Sequence, residues 1–194
     1  DYARSFMMER NRILADMHSG ADLESVMHSV QSYTFQIRPS DSFELCLNSY
    51  WAEDTFKVGE ALKTGYSDRM IDVLSCGREG EGEDRLDFLE TLDTLEMLPK
   101  LHEPSDEPRC FIFTPVHFDD SSFGYAVLGL NGSLARLDHS YCMWLVSVMY
   151  GLESLRRLKV LMGTNKKIEA SRYIDSLTGL YNYDGFLKHA DPMI

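Results

Sequence analysis

The chain has 194 residues, 44% of them hydrophobic and 26% charged, the balance of an ordinary globular protein with room for one medium domain and helical extensions. Its formal net charge is −12, and the densest basic patches are only "RRLK" and "NKK", so broad binding to a phosphate backbone is excluded and no nucleic-acid partner is expected. The longest apolar run, "YCMWLVSVMY", is about half of the ~20 residues that a membrane-spanning helix needs; with no secretory signal in view, the expectation is a cytoplasmic protein with no membrane partner.

Tyr2, Phe6, Ile13 and Met17 recur near helical spacing, so residues 2–18 read as a helix that Gly20 ends, and 1–20 as a connecting segment. Asp22 is a good N-cap for a second helix, whose apolar face is Leu23, Val26, Met27, Val30 and Ile37 and which Pro39 stops. "SFELCLNSYW" then alternates like a half-buried strand, with Phe43, Leu45 and Leu47 on one face. "SDRMIDVLSCG" reads as a second strand. The stretch "REGEGEDRLDFLETLDTLEMLPKLHEPSDEP" is acidic and irregular at both ends, and its middle has the pattern of a short helix.

Two further apolar strands follow, "RCFIFTPVHF" and "FGYAVLGLNG", joined by the turn residues "DDSS". Residues 138–171 carry a long helical pattern opening at Asp138, a plausible cap. Helices gathered at both ends of a mainly antiparallel sheet make an α+β domain, here residues 21–137. Cys46, Cys76, Cys110 and Cys142 are widely spaced in apolar runs and read as small buried hydrophobes, not as a zinc site or a disulfide framework.

The terminal helix, 138–174, is about 50 Å long at 1.5 Å per residue. Tyr141, Leu145, Val148, Leu152 and Leu155 alternate four and three residues apart, the spacing of a heptad seam, and a second stripe follows at Leu158, Leu161, Asn165 and Ile168. The simplest cover for such a stripe is the same helix of a second copy, which predicts a homodimer. Asn165 either fixes the register of that seam or lies in a solvated stretch. Gly151 and Gly163 each cost roughly 1 kcal/mol relative to Ala in a helix interior, so partners must hold this helix.

Directly after it comes D-x-L-T-G-L-x-N: Asp175, Leu177, Thr178, Gly179, Leu180 and Asn182. This pattern resembles the entry to a GGDEF domain, the catalytic domain of diguanylate cyclases, although the position after the Asn, often Arg in that family, is Tyr183 here. The preceding region is similar to a GAF sensor domain in its order of elements, with "LPKL", "FTPVHF" and "FGYAV" matching a bacterial group that places a GAF-like domain before GGDEF. The resemblance implies a GAF-like antiparallel sheet flanked by helices, a signalling helix and, at 175–194, the start of a GGDEF domain. It implies a parent enzyme that joins two GTP molecules into cyclic di-GMP with Mg²⁺. No GG[DE]EF hairpin or metal-binding Asp follows Asn182 within the chain, so this segment alone is expected to be inactive and to carry no cofactor of its own. "GEGED" at 80–84 imitates the signature but precedes the entry motif and reads as a solvated loop.

A GAF fold encloses a pocket between its sheet and a covering segment. Here the cover would be 77–104, with Phe88, Leu92, Leu95 and Leu98 pointing inward against Cys46, Tyr50, Phe113 and Tyr125. Either an unknown small molecule fills that space or the side chains fill it themselves. His117, Asp119 and Asp120 in "HFDD" have the types of a metal or acid–base cluster, but a hairpin tip explains the same letters; no other His, Ser or Cys spacing marks a metal or nucleophile site.

Overall fold

The computed structural model describes residues 12, 15, 22–37, 42–53, 65–76, 91–102, 104, 108–131, 139–175 and 177–190. The readings made on residues 2–11, Gly20, Pro39, "GEGED", Phe88 and the Asp138 cap lie outside the described residues. The chain divides into two compact units, residues 1–156 and 157–194.

In the first unit, helix α1 (Leu23–Ile37) starts where the sequence places its cap. The Asp22 carboxylate accepts the Ser25 amide at 2.8 Å, and Val26 N–H donates to the Asp22 carbonyl. Val26, Met27, Val30 and Tyr33 recur on one face and are buried. Five strands follow: β1 (Ser42–Asn48), β2 (Arg69–Cys76), β3 (Thr91–Asp93), β4 (Arg109–Phe118) and β5 (Ser121–Asn131). They form one antiparallel sheet in the order β3-β2-β1-β5-β4, so the fold is α+β, as expected from the sequence. The β4–β5 hairpin turns on Asp119 and Asp120 alone, with Asp119 at φ +47, and "SS" already belongs to β5.

Thr91–Asp93 is the element whose type differs from expectation. Its apolar run is too short for periodicity to separate helix from strand, and pairing decides: Thr91 to Asp93 align with Ile71 to Arg69, and the Arg69 guanidinium holds the Thr91 hydroxyl and carbonyl. Two 3₁₀ turns, Thr94–Glu96 and Pro99–His102, continue from it.

Helix α2 (His139–Tyr173) gives its first half to this unit. Phe43, Leu45 and Leu47 of β1, with Leu74, Ala126 and Leu128, meet α1 and the Tyr141, Trp144, Leu145, Val148, Leu152 and Leu155 side chains of α2 in one core. Phe43 and Trp144 pack edge to face with ring centroids 4.9 Å apart. Each fully buried large apolar side chain here contributes about 1.5–3 kcal/mol by leaving water. The seam expected to zip two copies together is therefore spent, from Tyr141 to Leu155, on the sheet of its own chain. Heptad spacing and the 3.6-residue spacing of a helix on a sheet differ by only ~20° per seven residues, too little to tell the two apart over four turns.

The sheet's other face is also covered. Glu44, Cys46 and Asn48 alternate with Phe43, Leu45 and Leu47 onto this face, where Cys46 was expected under a cover, and all three are buried. Cys46, Met70, Leu92, Leu98, Tyr125 and Val127 make a second, smaller cluster there, with Leu101, Phe111 and Phe113 at its edge. Of the cysteines, Cys46 and Cys76 are buried as expected; Cys110 and Cys142 are exposed, and all four are free thiols.

Candidate functional site

Two places concentrate polar groups with defined geometry: the turn between α2 and the last helix, α3 (Tyr183–Ala190), within the second unit, and the second face of the sheet in the first.

In the turn, every polar letter of the D-x-L-T-G-L-x-N motif holds backbone. The Asp175 carboxylate accepts the Leu177 amide (3.2 Å), the Thr178 amide (2.9 Å) and the Thr178 hydroxyl (2.8 Å). Gly179 N–H donates to the Asp175 carbonyl and Asp175 N–H to the Leu180 carbonyl, which closes a loop whose Gly179 sits at φ +70, a conformation that costs an L side chain roughly 1–2 kcal/mol. Asn182 then works in two directions. Its Nδ2 donates to the Arg172 carbonyl at 2.6 Å and its backbone N–H to the Tyr173 carbonyl, satisfying the end of α2. Its Oδ1 accepts the Gly185 amide at 2.9 Å and so caps α3.

Gly185 lies so close to the end of α2 that a Cβ would stand 2.2 Å from the Tyr173 carbonyl oxygen. Lys188 places its ammonium 4.1 Å from the centroid of the Tyr173 ring. Hydrogen bonds from Thr178 hold the Asp175 carboxyl below its ordinary range. The result is a joint that fixes the stop of one helix to the start of the next. The motif's leucines do the opposite of packing: Leu177 is 94% exposed, and Leu180, Phe186 and Leu187 are exposed with it.

On the sheet, five of the residues expected to line a pocket come together: Cys46, Leu92, Leu98, Phe113 and Tyr125. Leu95 does not join them. It is 93% exposed, because the Asp93 carboxylate caps the Leu95 amide and turns the 3₁₀ segment outward, so its inward assignment is corrected. Tyr50 lies in the turn after β1, half-buried and outside the cluster.

Sequence reasoning named Cys46 and Tyr125 for this face and missed Asp72, which makes a polar row with them. A register shift between Leu45 and Cys46 makes Val73 an extra residue on β2, so that Asp72 aligns with Cys46, which aligns in turn with Tyr125. Glu44 accepts the Ser75 hydroxyl at 3.0 Å one step along. Burial first, then the Asp72 and Glu44 carboxylates, push the Cys46 thiol up; burial, then the Cys46 sulfur, push the Tyr125 phenol up. Both groups are neutral at physiological pH, so Cys46 is no thiolate nucleophile. Tyr66 and Phe113 flank the Tyr125 ring at centroid distances of 5.6 and 5.8 Å.

At the rim, buried Asn48 donates to the Gly65 and Ser122 carbonyls and accepts the Ser67 amide, tying the segment before β2 to β5. The signal for all this was present only as polar residues at alternate strand positions, which read equally well as solvent-facing.

His117, Asp119 and Asp120 occupy the exposed β4–β5 hairpin, and among the described residues no group of three His, Cys, Asp or Glu is placed to hold a metal. No described helix is long and apolar enough to cross a membrane. Set against family models, curated proteins and solved structures, the chain matches none.

Proposed function

We propose that this chain is the regulatory segment of a diguanylate cyclase: a GAF-like domain whose long helix hands a signal to a GGDEF unit that begins at Asp175. The observation that carries this reading is the joint at Arg172–Gly185. Asp175, Thr178, Gly179 and Asn182 spend their side chains or their conformational freedom on locking two helices in one geometry, while Leu177, Leu180, Phe186 and Leu187 stay open for a covering structure. A stiff joint ahead of an uncovered apolar start is what a relay into a further folded unit requires.

In such an enzyme two GTP molecules meet, each on its own protomer, and positioning supplies much of the rate. Association of two copies is therefore part of the proposal. With Tyr141 to Leu155 spent on the sheet, the contact falls to the second stripe, Leu158, Leu161, Asn165 and Ile168, of which Leu161 and Ile168 are about 60% exposed. GTP and Mg²⁺ would be held by the catalytic unit, and no step of its chemistry is assigned to the residues described here.

The test is chemical. Polypeptide carrying this segment together with its GGDEF unit should convert GTP to cyclic di-GMP with Mg²⁺, and Gly185→Ala, which forces the joint apart, should lower that rate while leaving the sheet domain folded. Absence of product, or a rate indifferent to Gly185→Ala, would contradict the reading.

A second reading is a small-molecule receptor, favoured by the buried polar row of Asp72, Cys46 and Tyr125. A ligand present at 100 times its dissociation constant would stabilise the domain by about 2.7 kcal/mol, a shift that a thermal melt of the chain with nucleotides and metabolites would register.

A further inference from the structure

The segment that closes the second face of the sheet is held in an unusual way. Residues 91–93 pair with β2, and Thr94 anchors the following turn by donating its amide to the Asp68 carbonyl and its hydroxyl to the Ser67 carbonyl. Beyond that point the chain reverses at Met97, with φ +57 and ψ −62, and Leu98 N–H donates to the Glu96 carbonyl at 2.6 Å. This is a γ-turn of the rare, strained hand, on a residue with a Cβ. The Met97 side chain is itself exposed, so its packing does not impose the turn. What faces it from the sheet is the Tyr125 hydroxyl, donating to the Met97 carbonyl at 2.5 Å, and next to it Leu98 is buried in the second cluster.

Strained non-glycine conformations persist where their surroundings over-determine them, and they collect at clamps and switches. Here Met97 N–H donates to the Thr94 carbonyl at 3.2 Å, Leu101 N–H donates to the Leu98 carbonyl at 3.0 Å, and Leu98 and Leu101 pack on the second cluster, while among the described residues the side chain that holds the Met97 carbonyl is Tyr125.

We propose that residues 94–102 are a latched strap: the Tyr125 hydroxyl holds Met97 in a strained turn, and release of that bond lets the strap lift from the Cys46–Asp72 face while the sheet remains folded. The strap stores its opening force in its own backbone, and it gates the buried polar row of Asp72, Cys46 and Tyr125. The device depends only on the first unit, so it stands or falls separately from the cyclase reading.

Native-state hydrogen exchange of the whole chain tests it, comparing the Met97, Leu98 and Leu101 amides of the strap with the Leu45 and Leu47 amides of β1. The strap amides should exchange through an opening that leaves β1 protected. Met97→Gly, which accepts a positive φ without strain, should slow strap exchange roughly tenfold, whereas Met97→Ala should not. Tyr125→Phe should speed it roughly tenfold without moving β1. If Tyr125→Phe fails to fold, the Met97→Gly and Met97→Ala pair decides alone. Strap amides that exchange only together with β1, or that Met97→Gly fails to slow, would overturn the proposal.

Discussion

The two halves of α2 carry the same kind of apolar spacing and have opposite fates. From Tyr141 to Leu155 the stripe is buried against the sheet, and the Glu153 carboxylate is held by both nitrogens that Arg156 offers it, at 2.7 and 2.8 Å. From Leu161 to Ile168 the stripe is open. The lesson is that spacing tells which residues need cover and not who provides it. A seam of four or five apolar residues serves a sheet as well as a twin helix, and only the fate of each side chain separates the two.

The largest expected effect breaks the comparison at its buried end. Leu152→Asp places an unpaired charge in the core and should cost more than about 4 kcal/mol, abolishing the cooperative urea transition of the first unit. An intact transition would mean that Leu152 is not core. Next comes the joint. Gly185→Ala should cost the second unit about 1–3 kcal/mol through the clash with the Tyr173 carbonyl, read as lost amide protection in α3 with β1 unchanged.

A subtler effect follows from Asp175. Its folded pKa is depressed, chiefly by the Thr178 hydroxyl and amide, so its contribution is complete well above 3.8 and is lost as pH falls through the lowered value. The Leu177 and Thr178 amide resonances should titrate with a midpoint below 3.8; a midpoint at or above it would show that the carboxylate does not organise the turn. Smallest of all, Ile168→Ala should change the stability of a dissociated single chain by no more than about 0.5 kcal/mol, because Ile168 is 60% exposed within its own chain.

Much of this fold was legible. The Asp22 cap, the inward face of β1, the β4–β5 hairpin and the long helix follow from periodicity and turn chemistry, which are local. What was not legible depends on partners distant in sequence. β3 is a strand because Arg69 and its neighbours pair with it, 22 residues away. The cover over Cys46 was expected and is there, but that Glu44 and Asn48 are buried beside it rests on Ser75 of β2 and on Gly65, Ser67 and Ser122, partners that alternation along one strand does not report.

The motif at 175–182 lies between these extremes. Its letters were recognisable as a unit, but that Asn182 ties Arg172 to Gly185 appears only once the turn is built.

The claim that the halves of α2 serve different partners is tested most directly by the mass of the chain in solution. Light scattering at high micromolar concentration should give twice the chain mass for the native protein, and the single chain mass for Leu161→Asp/Ile168→Asp with its sheet domain still folded. A native chain that stays monomeric, or a dimer that survives both substitutions, would contradict the account.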